Sequence, residues 1–331
     1  MKKKALYISD LEVALRKRSD RIVVEKKGEK IAEIRCDELD TVILLGPIEF
    51  STQVVFKLAQ HNIELALCTR DGRLVAQLTP PCPANIYRLL KQYDLLRKPC
   101  WALASAKNVV AAKLRGCIRL LDDVSKNFGS EKLRDALHKM KERIAGIDSA
   151  ENLQTLLGIE GAAGELYFSV FGLMVKDVPF PGRHRHPPQD PVNAVLSLCY
   201  RLAASELNGL IDAAGLNPAL GFYHKPEYGR PSLALDLLEE FRAPLCDRFA
   251  IKSFNLGKFK ASDFESEENG VRFKPDSFKS FLRSWEEYQM EEFNLDWGVK
   301  TWNDAFRASI SILSEAVDSG KPYAPIPLEK K

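Results

Sequence analysis

The sequence lacks three features that would assign it to a familiar class of protein. It has no uninterrupted apolar run of about 18 residues, and the N-terminal MKKKALYISD has no apolar core of a secretion signal. We therefore expect no membrane span and a cytoplasmic location. The seven cysteines form no C-x-x-C pair, which argues against a zinc ribbon or a disulfide framework. The net charge of +3 is too small to indicate a nucleic-acid-binding protein from composition alone.

Positive charge is nevertheless concentrated in residues 97–143. This stretch has twelve Lys or Arg residues against five acids, a local excess of seven positive charges. Two interpretations stay open at this point. The stretch is either a surface that binds DNA phosphates or a solvated basic helix face.

The first eighty residues alternate apolar and polar side chains in short segments, which is typical of β-strands. The Lys27-Gly28 and Asp71-Gly72 pairs lie between such segments and predict tight hairpin turns. One segment, STQVVFKLAQ, has helical spacing instead and begins at Ser51, a residue type that commonly caps helices. This part of the chain is predicted to be small and mostly β.

Three prolines in the stretch TPPCPAN, residues 79–85, end the last predicted strand. Strands followed by helices predict an α+β chain. We expect a β-rich, sandwich-like domain at 1–83 and a larger all-α domain at 84–331. Helical spacing follows the prolines at 84–97, 101–127, 131–145, 150–175, 190–214, 232–250, 277–292 and 300–319.

A carboxylate lies in the middle of an apolar helix face in the segment LLGIEGAAGELYFSVFG. Glu160 shares that face with small and apolar residues, whereas Glu165 lies on another side. A carboxylate in such a place is costly unless it is paired, protonated or bound to a cation. Gly161 and Gly164 each weaken the helix by about 1 kcal/mol relative to alanine, which favours a close approach to its backbone. Cation binding and a buried Glu paired with an Arg are equally open interpretations.

The segment GFYHKPEYGRPSLALDLLEEFR contains one of only five histidines. His224 precedes Asp236 by twelve residues, and Glu239 and Glu240 follow. On their helix these acids lie opposite the apolar stripe, so the helix by itself predicts a solvated face. Together with Glu160, however, the segment provides three or four ligands. Carboxylates with one imidazole suit Mn²⁺ or Mg²⁺, and the histidine favours Mn²⁺.

Several motifs, in this order, resemble those of the CRISPR-associated integrase and endonuclease family, the universal spacer-acquisition enzymes of CRISPR systems. The motifs are GIEGAAGELYF, PPQDPVNAVLSLCYRLAASEL and AGLNPALGFYHKPEYGRPSLALDLLEEFR. The resemblance covers nearly the whole chain, and the ordered set is more specific than any single motif. It implies a metal-dependent DNA endonuclease and integrase of CRISPR adaptation, which joins 3′-hydroxyl ends of captured DNA to the CRISPR repeat by transesterification.

The resemblance also implies roles for individual residues. The divalent ion is held by Glu160, His224 and Glu239, and the choice of Glu239 over Glu240 comes from the resemblance alone. Asp236 matches a further acid implicated in activity, either behind the ligands or as an alternative ligand. The family further implies a homodimer formed through the β-rich domain, and a complex with a small CRISPR-associated dimer of ferredoxin-like fold.

Aromatic and basic residues near the proposed ligands are candidates for DNA contact. Tyr200 is predicted either to position the hydroxyl or stack on a base, or to be a core tyrosine with a satisfied hydroxyl. Arg242 and Arg248 have the alternative of pairing with acids on their own helix, such as Glu239 or Asp247. The candidates for phosphate contact are Arg183, Arg185, Lys225, Arg230, Arg242 and Arg248.

Two rival functions stay open beside the integrase. One is a non-catalytic DNA-binding scaffold of the same adaptation complex, against which the full set of ligands argues. The other is a metallohydrolase that acts on a small phosphoester, which leaves the basic stretch 97–143 without a role.

Overall fold

The computed structural model describes residues 4–78, 86–128, 130–184, 187–267, 270–295 and 298–328. In these ranges the N-terminal part is rich in strands and the remainder is mainly helical, which confirms the predicted α+β class. The predicted boundary at residues 79–85 lies outside the described residues. The division into two domains therefore stays a prediction.

The N-terminal part consists of two four-stranded sheets and one helix. The sheet orders are β1-β5-β7-β8 and β4-β3-β2-β6, and helix α1 (Thr52–Gln60) precedes β7. The strands are β1 (Lys4–Ile8), β2 (Val13–Arg18), β3 (Arg21–Lys26), β4 (Glu29–Arg35), β5 (Leu39–Leu45), β6 (Glu49–Phe50), β7 (Glu64–Cys68) and β8 (Leu74–Leu78).

The two sheets share one apolar core, as the sandwich-like expectation requires. Leu15 and Ile22 reach it from one sheet, Val42 and Leu65 reach it from the other, and Val54 of α1 also contributes. The β1, β5 and β7 strands pair in parallel, with β5 and β7 at the centre of their sheet. Parallel strands are generally covered on both faces.

Strand β5 connects the N-terminal sheets to the helices. Val42 and Leu44 point into the core between the sheets, whereas Ile43 and Leu45 pack with the helical part. Because both faces of the strand are buried, its sequence is a continuous apolar run rather than an alternating one.

Both predicted hairpin turns are confirmed. Strands β3 and β4 pair antiparallel around Lys27 and Gly28, whose φ angles are 52° and 84°. Two successive positive φ angles match the twist of a two-residue hairpin. The Asp71-Gly72 turn joins β7 to β8. Helix α1 is also confirmed, although the Ser51 side chain makes no capping hydrogen bond.

The helical part surrounds a long helix, α3, which packs against α4, α5 and α7. Two short hairpins, β9–β10 and β11–β12, were not predicted, because strands of three or four residues are too short to show a period. The elements are α2 (Ile86–Leu96), α3 (Pro99–Phe128), α4 (Glu131–Ala145), α5 (Leu153–Phe171), α6 (Pro191–Ala213), α7 (Ser232–Phe241), α8 (Arg248–Asn255), β9 (Phe264–Glu267), β10 (Gly270–Phe273), α9 (Pro275–Met290), β11 (Phe293–Leu295), β12 (Gly298–Lys300) and α10 (Trp302–Ser319).

Helices α7 and α8 are joined without a break by a π-helical segment, Arg242–Asp247. The sequence predicted one regular helix here. Pro244 lies inside the segment and has no backbone N–H to donate, which favours a local departure from α-helical hydrogen bonding. Single π-helical turns of this kind are frequent at functional sites.

Helix α5 and the turn after it, Leu153–Met174, form one segment in the described ranges that is long and apolar enough to cross a membrane. The segment carries Glu160 and Glu165 near its middle, and Glu160 is ion-paired with Lys113. Carboxylates at the centre of a bilayer are expensive. The absence of a membrane span stays a prediction.

Candidate functional site

Three helices bring a lysine and two carboxylates together. The Lys113 ammonium on α3 donates a hydrogen bond to Glu160 Oε1 on α5 and lies 2.6 Å from Glu239 Oε2 on α7. The side chains of Glu160 and Glu239 are 18% and 3% exposed. Glu160 therefore points inward, as its helix face predicted. Its partner is a lysine rather than an arginine.

Asp236 fixes the loop that carries His224. Its carboxylate is fully buried and accepts hydrogen bonds from the backbone N–H groups of Phe222 (2.7 Å), Tyr223 (3.0 Å) and His224 (2.8 Å). It also lies 2.7 Å from His224 Nδ1. Burial by itself raises the pKa of Asp236, and these donors oppose that rise. Since both carboxylate oxygens are engaged, Asp236 supports the histidine from behind.

The hydrogen bond at Nδ1 determines which imidazole nitrogen faces the carboxylates. His224 Nε2 lies 3.9 Å from Glu239 Oε1. An imidazole oriented through Nδ1 presents Nε2 as its free ligand nitrogen. The structure thus places His224, Glu160 and Glu239 in one cluster, with Asp236 next to it.

Gly221 allows this loop to pack tightly against Asp236. A Cβ atom there would lie 2.6 Å from the His224 carbonyl oxygen and 2.9 Å from Asp236 Oδ2. The glycine thus serves packing inside the protein rather than an exposed loop. Gly229, later in the same loop, has a φ of 71° and open space around it.

Glu239 lies between two cationic groups. Arg242 Nε is 3.0 Å from Glu239 Oε1, and Lys113 lies at the other oxygen. Burial raises the pKa of Glu239, but the charges of Arg242 and Lys113 outweigh that effect and lower the pKa to about 2. Burial alone would lower the pKa of Lys113, yet Glu239 and Glu160 raise it. Glu239, Lys113 and Arg242 are therefore all charged at neutral pH.

The predicted solvated face on α7 is wrong. Asp236, Glu239 and Glu240 are all buried, because α7 packs against both α3 and α6. Glu240 points away from the cluster and accepts hydrogen bonds from Ser309 (2.7 Å) and Tyr323 (2.6 Å). Burial raises the pKa of Glu240 to about 7. Helical spacing shows on which side the acids lie, but not whether other elements cover that side.

The kinds of donor atom in the cluster suit a divalent cation, although their present spacing does not. In the described part of the chain, no three His, Cys, Asp or Glu side chains are spaced to bind an ion as they stand. Here the Lys113 ammonium lies between Glu160 and Glu239. Glu239 Oε2 is buried and has no hydrogen bond of proper geometry. Two carboxylates and an imidazole nitrogen are a ligand set suited to Mn²⁺ or Mg²⁺.

Tyr200 is a buried tyrosine whose hydroxyl is satisfied. The hydroxyl donates to Asp247 Oδ1, and the Tyr167 hydroxyl donates to Asp247 Oδ2 at 2.9 Å. Burial raises the pKa of Asp247 to about 6. The guanidinium groups of Arg242 and Arg183 lie 4.6 Å and 5.4 Å from the centre of the Tyr200 ring. This geometry agrees with the core-tyrosine interpretation. The sequence indicated Asp247 only as a possible ion-pair partner of an arginine, not as the partner of Tyr200.

The two arginines with alternative roles both form ion pairs. Arg242 pairs with Glu239 on its own helix, as one alternative predicted. Arg248 pairs with Asp123 on α3 at 2.6 Å, and not with Asp247. Arg242 belongs to the cluster and lines the cavity beside Glu160, whereas Arg248 lines a different cavity.

The other basic candidates differ in exposure. Arg183 donates hydrogen bonds to Asn193 Oδ1 (2.7 Å) and Ser197 Oγ (3.2 Å) on α6. Arg230 pairs with Glu227 at 3.0 Å, and Lys225, directly after His224, is exposed. Arg185 lies outside the described residues.

A cavity of about 440 Å³ lies beside Glu160 and Asp247. Gly161 and Gly164 of α5 line one wall, and Lys113, Arg183 and Arg242 line other parts. A Cβ atom at Gly161 would meet nothing within 4 Å. The wall at Gly161 is therefore open, whereas a Cβ atom at Gly164 would lie 3.8 Å from Glu160 Oε1.

The basic stretch 97–143 forms α3 and α4. Lys113 leaves the solvated surface and joins the cluster, and Lys126 and Lys139 pair with acids of their own helices. The remaining basic residues include the exposed Arg115 and Arg134. Phosphate binding and a solvated face therefore both stay open for the outer side of these helices.

Comparisons with known proteins place the chain among CRISPR-associated proteins. It matches the family model described as CRISPR associated protein Cas1 over residues 6–287. It is 32% identical over 300 residues to the CRISPR-associated endonuclease Cas1 2 of Rhodospirillum rubrum, which covers 87% of this chain and 86% of that protein.

Two solved structures share the fold. A casposase bound to integration product has a TM-score of 0.82 and 22% identity, covering 99% of this chain and 94% of that one. A chain of a Cas6-RT-Cas1–Cas2 complex has a TM-score of 0.83 and 23% identity, covering 99% of this chain and 36% of that one. At these identities the likeness shows the fold alone.

Proposed function

The chain belongs to the Cas1 family, the endonucleases and integrases of CRISPR adaptation, and on this premise we propose that it is a metal-dependent DNA strand-transfer enzyme. In this proposal it joins the 3′-hydroxyl ends of captured DNA fragments to the CRISPR repeat. Glu160, His224 and Glu239 hold Mn²⁺ or Mg²⁺.

One observation carries the proposal. Carboxylates from α5 and α7 both contact the Lys113 ammonium, and an imidazole nitrogen oriented by Asp236 lies 3.9 Å from the second oxygen of Glu239. A surface of solvated acids would not bury these groups or orient the histidine. The family relationship supports the same reading, since the curated relative is named an endonuclease.

The chemistry of strand transfer requires positioning and charge stabilisation. The 3′-oxygen of the fragment forms a new bond to phosphorus in the repeat as the bond from that phosphorus to the 3′-oxygen of the repeat breaks. The proton lost by the attacking hydroxyl is balanced by the proton that the leaving oxygen gains. A bound divalent ion would polarise the phosphoryl oxygen and stabilise charge on the attacking or leaving oxygen.

The chain's own residues bind and orient the reacting strands in this proposal. Glu160 and Glu239 provide fixed negative charge, and Asp236 keeps His224 Nε2 directed at the cluster. The cavity beside Glu160 and Asp247 accepts the reacting strand, with the guanidinium groups of Arg183 and Arg242 at its wall. Water in place of the 3′-hydroxyl would give nuclease activity at the same site.

The partners in this proposal come from the family. We propose that the chain binds double-stranded DNA fragments and the CRISPR repeat, and that it acts as a homodimer. We also propose a complex with a small CRISPR-associated protein of ferredoxin-like fold. A structural neighbour in a Cas6-RT-Cas1–Cas2 complex supports such an assembly.

A strand-transfer assay tests the proposal. A labelled DNA duplex with 3′-hydroxyl ends is incubated with a plasmid that carries a CRISPR repeat, in Mn²⁺, Mg²⁺ or chelator, with and without the small partner protein. The account predicts metal-dependent joining by the wild type and loss of at least about 100-fold in E160A, H224A and E239A. E315A, which removes an exposed carboxylate on α10, should join DNA like the wild type.

The same assay separates the rival functions. A wild type that binds DNA but neither joins nor cuts it under any of these conditions would make the non-catalytic scaffold the better account. Binding without salt dependence would argue against a DNA role altogether, because contacts to phosphates weaken as salt rises.

A further inference from the structure

The cluster contains a buried lysine that the proposed reaction does not use. Lys113 extends from the middle of α3, and its side chain is 13% exposed. Its ammonium contacts Glu160 on α5 and Glu239 on α7. One cation thereby connects three helices, and His224 Nε2 lies 3.9 Å from the other oxygen of Glu239, Oε1.

In the protein without metal, Lys113 offsets the repulsion between the Glu160 and Glu239 carboxylates. Two carboxylates that share a buried site repel each other, and each is costly to bury alone. The Lys113 ammonium removes this repulsion, because it contacts both. Arg242 is ion-paired with Glu239, whereas Lys113 is the group that contacts both carboxylates.

Three features distinguish this arrangement from a permanent structural ion pair. Glu239 Oε2 has no hydrogen bond of proper geometry, so its contact with the Lys113 ammonium is an ion pair without a well-formed hydrogen bond. His224 Nε2 faces Glu239 Oε1 at 3.9 Å without bonding to it. Finally, Lys113 lines the cavity of about 440 Å³, which gives its long side chain a place to move.

We propose that Lys113 is a built-in counter-ion that holds Glu160 and Glu239 together before the divalent ion binds, and that it leaves their midpoint when the ion enters. This inference rests on the proposed function, since it takes Glu160 and Glu239 as metal ligands. An ammonium and a divalent cation do not occupy one point between the same oxygens, because their charges repel. Binding of the ion is therefore an exchange of cations.

Substitution of the lysine by methionine tests the exchange. K113M keeps most of the side-chain length but removes the charge. K107M is the matched control, because Lys107 lies on the same helix and donates to the Asp148 carbonyl rather than to a carboxylate. Mn²⁺ binding is measured by electron paramagnetic resonance of the free ion, and thermal unfolding is followed with and without Mn²⁺.

The inference predicts opposite changes in stability and in affinity. K113M should unfold at a lower temperature than the wild type without metal, bind Mn²⁺ at least about tenfold more tightly, and gain more in Tm when Mn²⁺ is added. K107M should match the wild type in all three. If K113M does not fold, K113R serves instead, and its retained charge and fork of donors should weaken Mn²⁺ binding.

The outcomes separate this inference from the proposed function. If the wild type binds Mn²⁺ and K113M binds it equally tightly or more weakly, the proposed role of Lys113 is wrong. The proposed metal ligands would be unaffected by that result. Absence of Mn²⁺ binding in both proteins would overturn the counter-ion together with the metal site. Tighter binding in K113M supports the exchange whether or not DNA is joined.

Discussion

At the scale of single residues, Asp236 controls the direction of His224. Its carboxylate accepts hydrogen bonds from three backbone N–H groups and contacts the imidazole at Nδ1. A buried carboxylate with this many donors stabilises the loop and the ring orientation at once. In the proposed metal site, Asp236 would therefore act through His224 and not as a ligand itself.

Replacing Asp236 with asparagine should weaken metal binding without removing a ligand. The asparagine side chain has the size of aspartate but no charge. Its NH₂ group cannot accept hydrogen bonds from the backbone N–H groups that Asp236 binds. We expect Mn²⁺ affinity to fall by about 10–100-fold and stability to fall by about 1–3 kcal/mol. Calorimetric titration and urea unfolding measure the two effects. An unchanged Mn²⁺ affinity would show that Asp236 does not orient the ligand.

The sequence indicated some of these residues and concealed others. Glu160 was predicted to point inward because a carboxylate on an apolar helix face is unusual. Lys113 carried no such signal, because it is one of twelve basic residues in 97–143. Asp236 was assigned near the site, but its contacts depend on a loop conformation that no periodicity describes.

At the scale of elements, the loop before α7 depends on a glycine for its close packing. G221A should lower the free energy of unfolding by about 1–3 kcal/mol, because the added Cβ would overlap the His224 carbonyl oxygen. G158A is the matched substitution on α5, where a Cβ atom meets nothing within 4 Å. It should stabilise the protein by up to about 1 kcal/mol. Chemical denaturation measures the stability of both variants. If G221A is as stable as the wild type, the close packing at Gly221 is not needed for stability.

Regular elements were predictable and irregular ones were not. The hairpin at Lys27-Gly28 follows from local turn chemistry, and α5 follows from its spacing. The π-helical segment Arg242–Asp247 does not, because helical spacing drifts little over six residues. The buried acids of α7 were assigned to solvent because their cover comes from elements distant in sequence.

At the scale of the whole molecule, a buried carboxylate lies where the N-terminal sheet meets the helices. Glu64 on β7 packs against Gly209 on α6, where a Cβ atom would overlap Glu64 Oε2. Glu64 Oε1 is buried and has no hydrogen bond. Burial, with a smaller contribution from Asp212, raises the pKa of Glu64 to about 8.

The stability of the protein should therefore depend on pH through Glu64. Between the ordinary pKa of 4.5 and about 8, the folded protein binds more protons than the unfolded chain, so stability falls as pH rises through this window. The E64Q variant should lose on the order of 2 kcal/mol less unfolding free energy than the wild type as pH rises through this window. Unfolding at pH 5 and pH 8.5 measures the difference, with E315Q as an exposed control. Equal pH dependence in E64Q and wild type would refute the assignment.

Self-association is a second property of the whole molecule. Edge strand β8 exposes Val75 and Leu78, and α2 exposes Tyr87 and Leu90. Exposed apolar side chains on a sheet edge favour pairing with another chain. We expect light scattering in the micromolar range to give twice the mass of the chain, and V75K to lower it. L256K, which replaces an exposed leucine of the helical part, should leave the mass unchanged, and a monomeric wild type would rule out the dimer.

The most direct test of the account is the position of the metal. Crystals soaked with Mn²⁺ and measured at the manganese absorption edge locate the ion by its anomalous signal. We predict one strong peak among Glu160, His224 Nε2 and Glu239, with the Lys113 ammonium displaced from its place between the carboxylates. A strong peak elsewhere, with Lys113 still bound to Glu160 and Glu239, would contradict it.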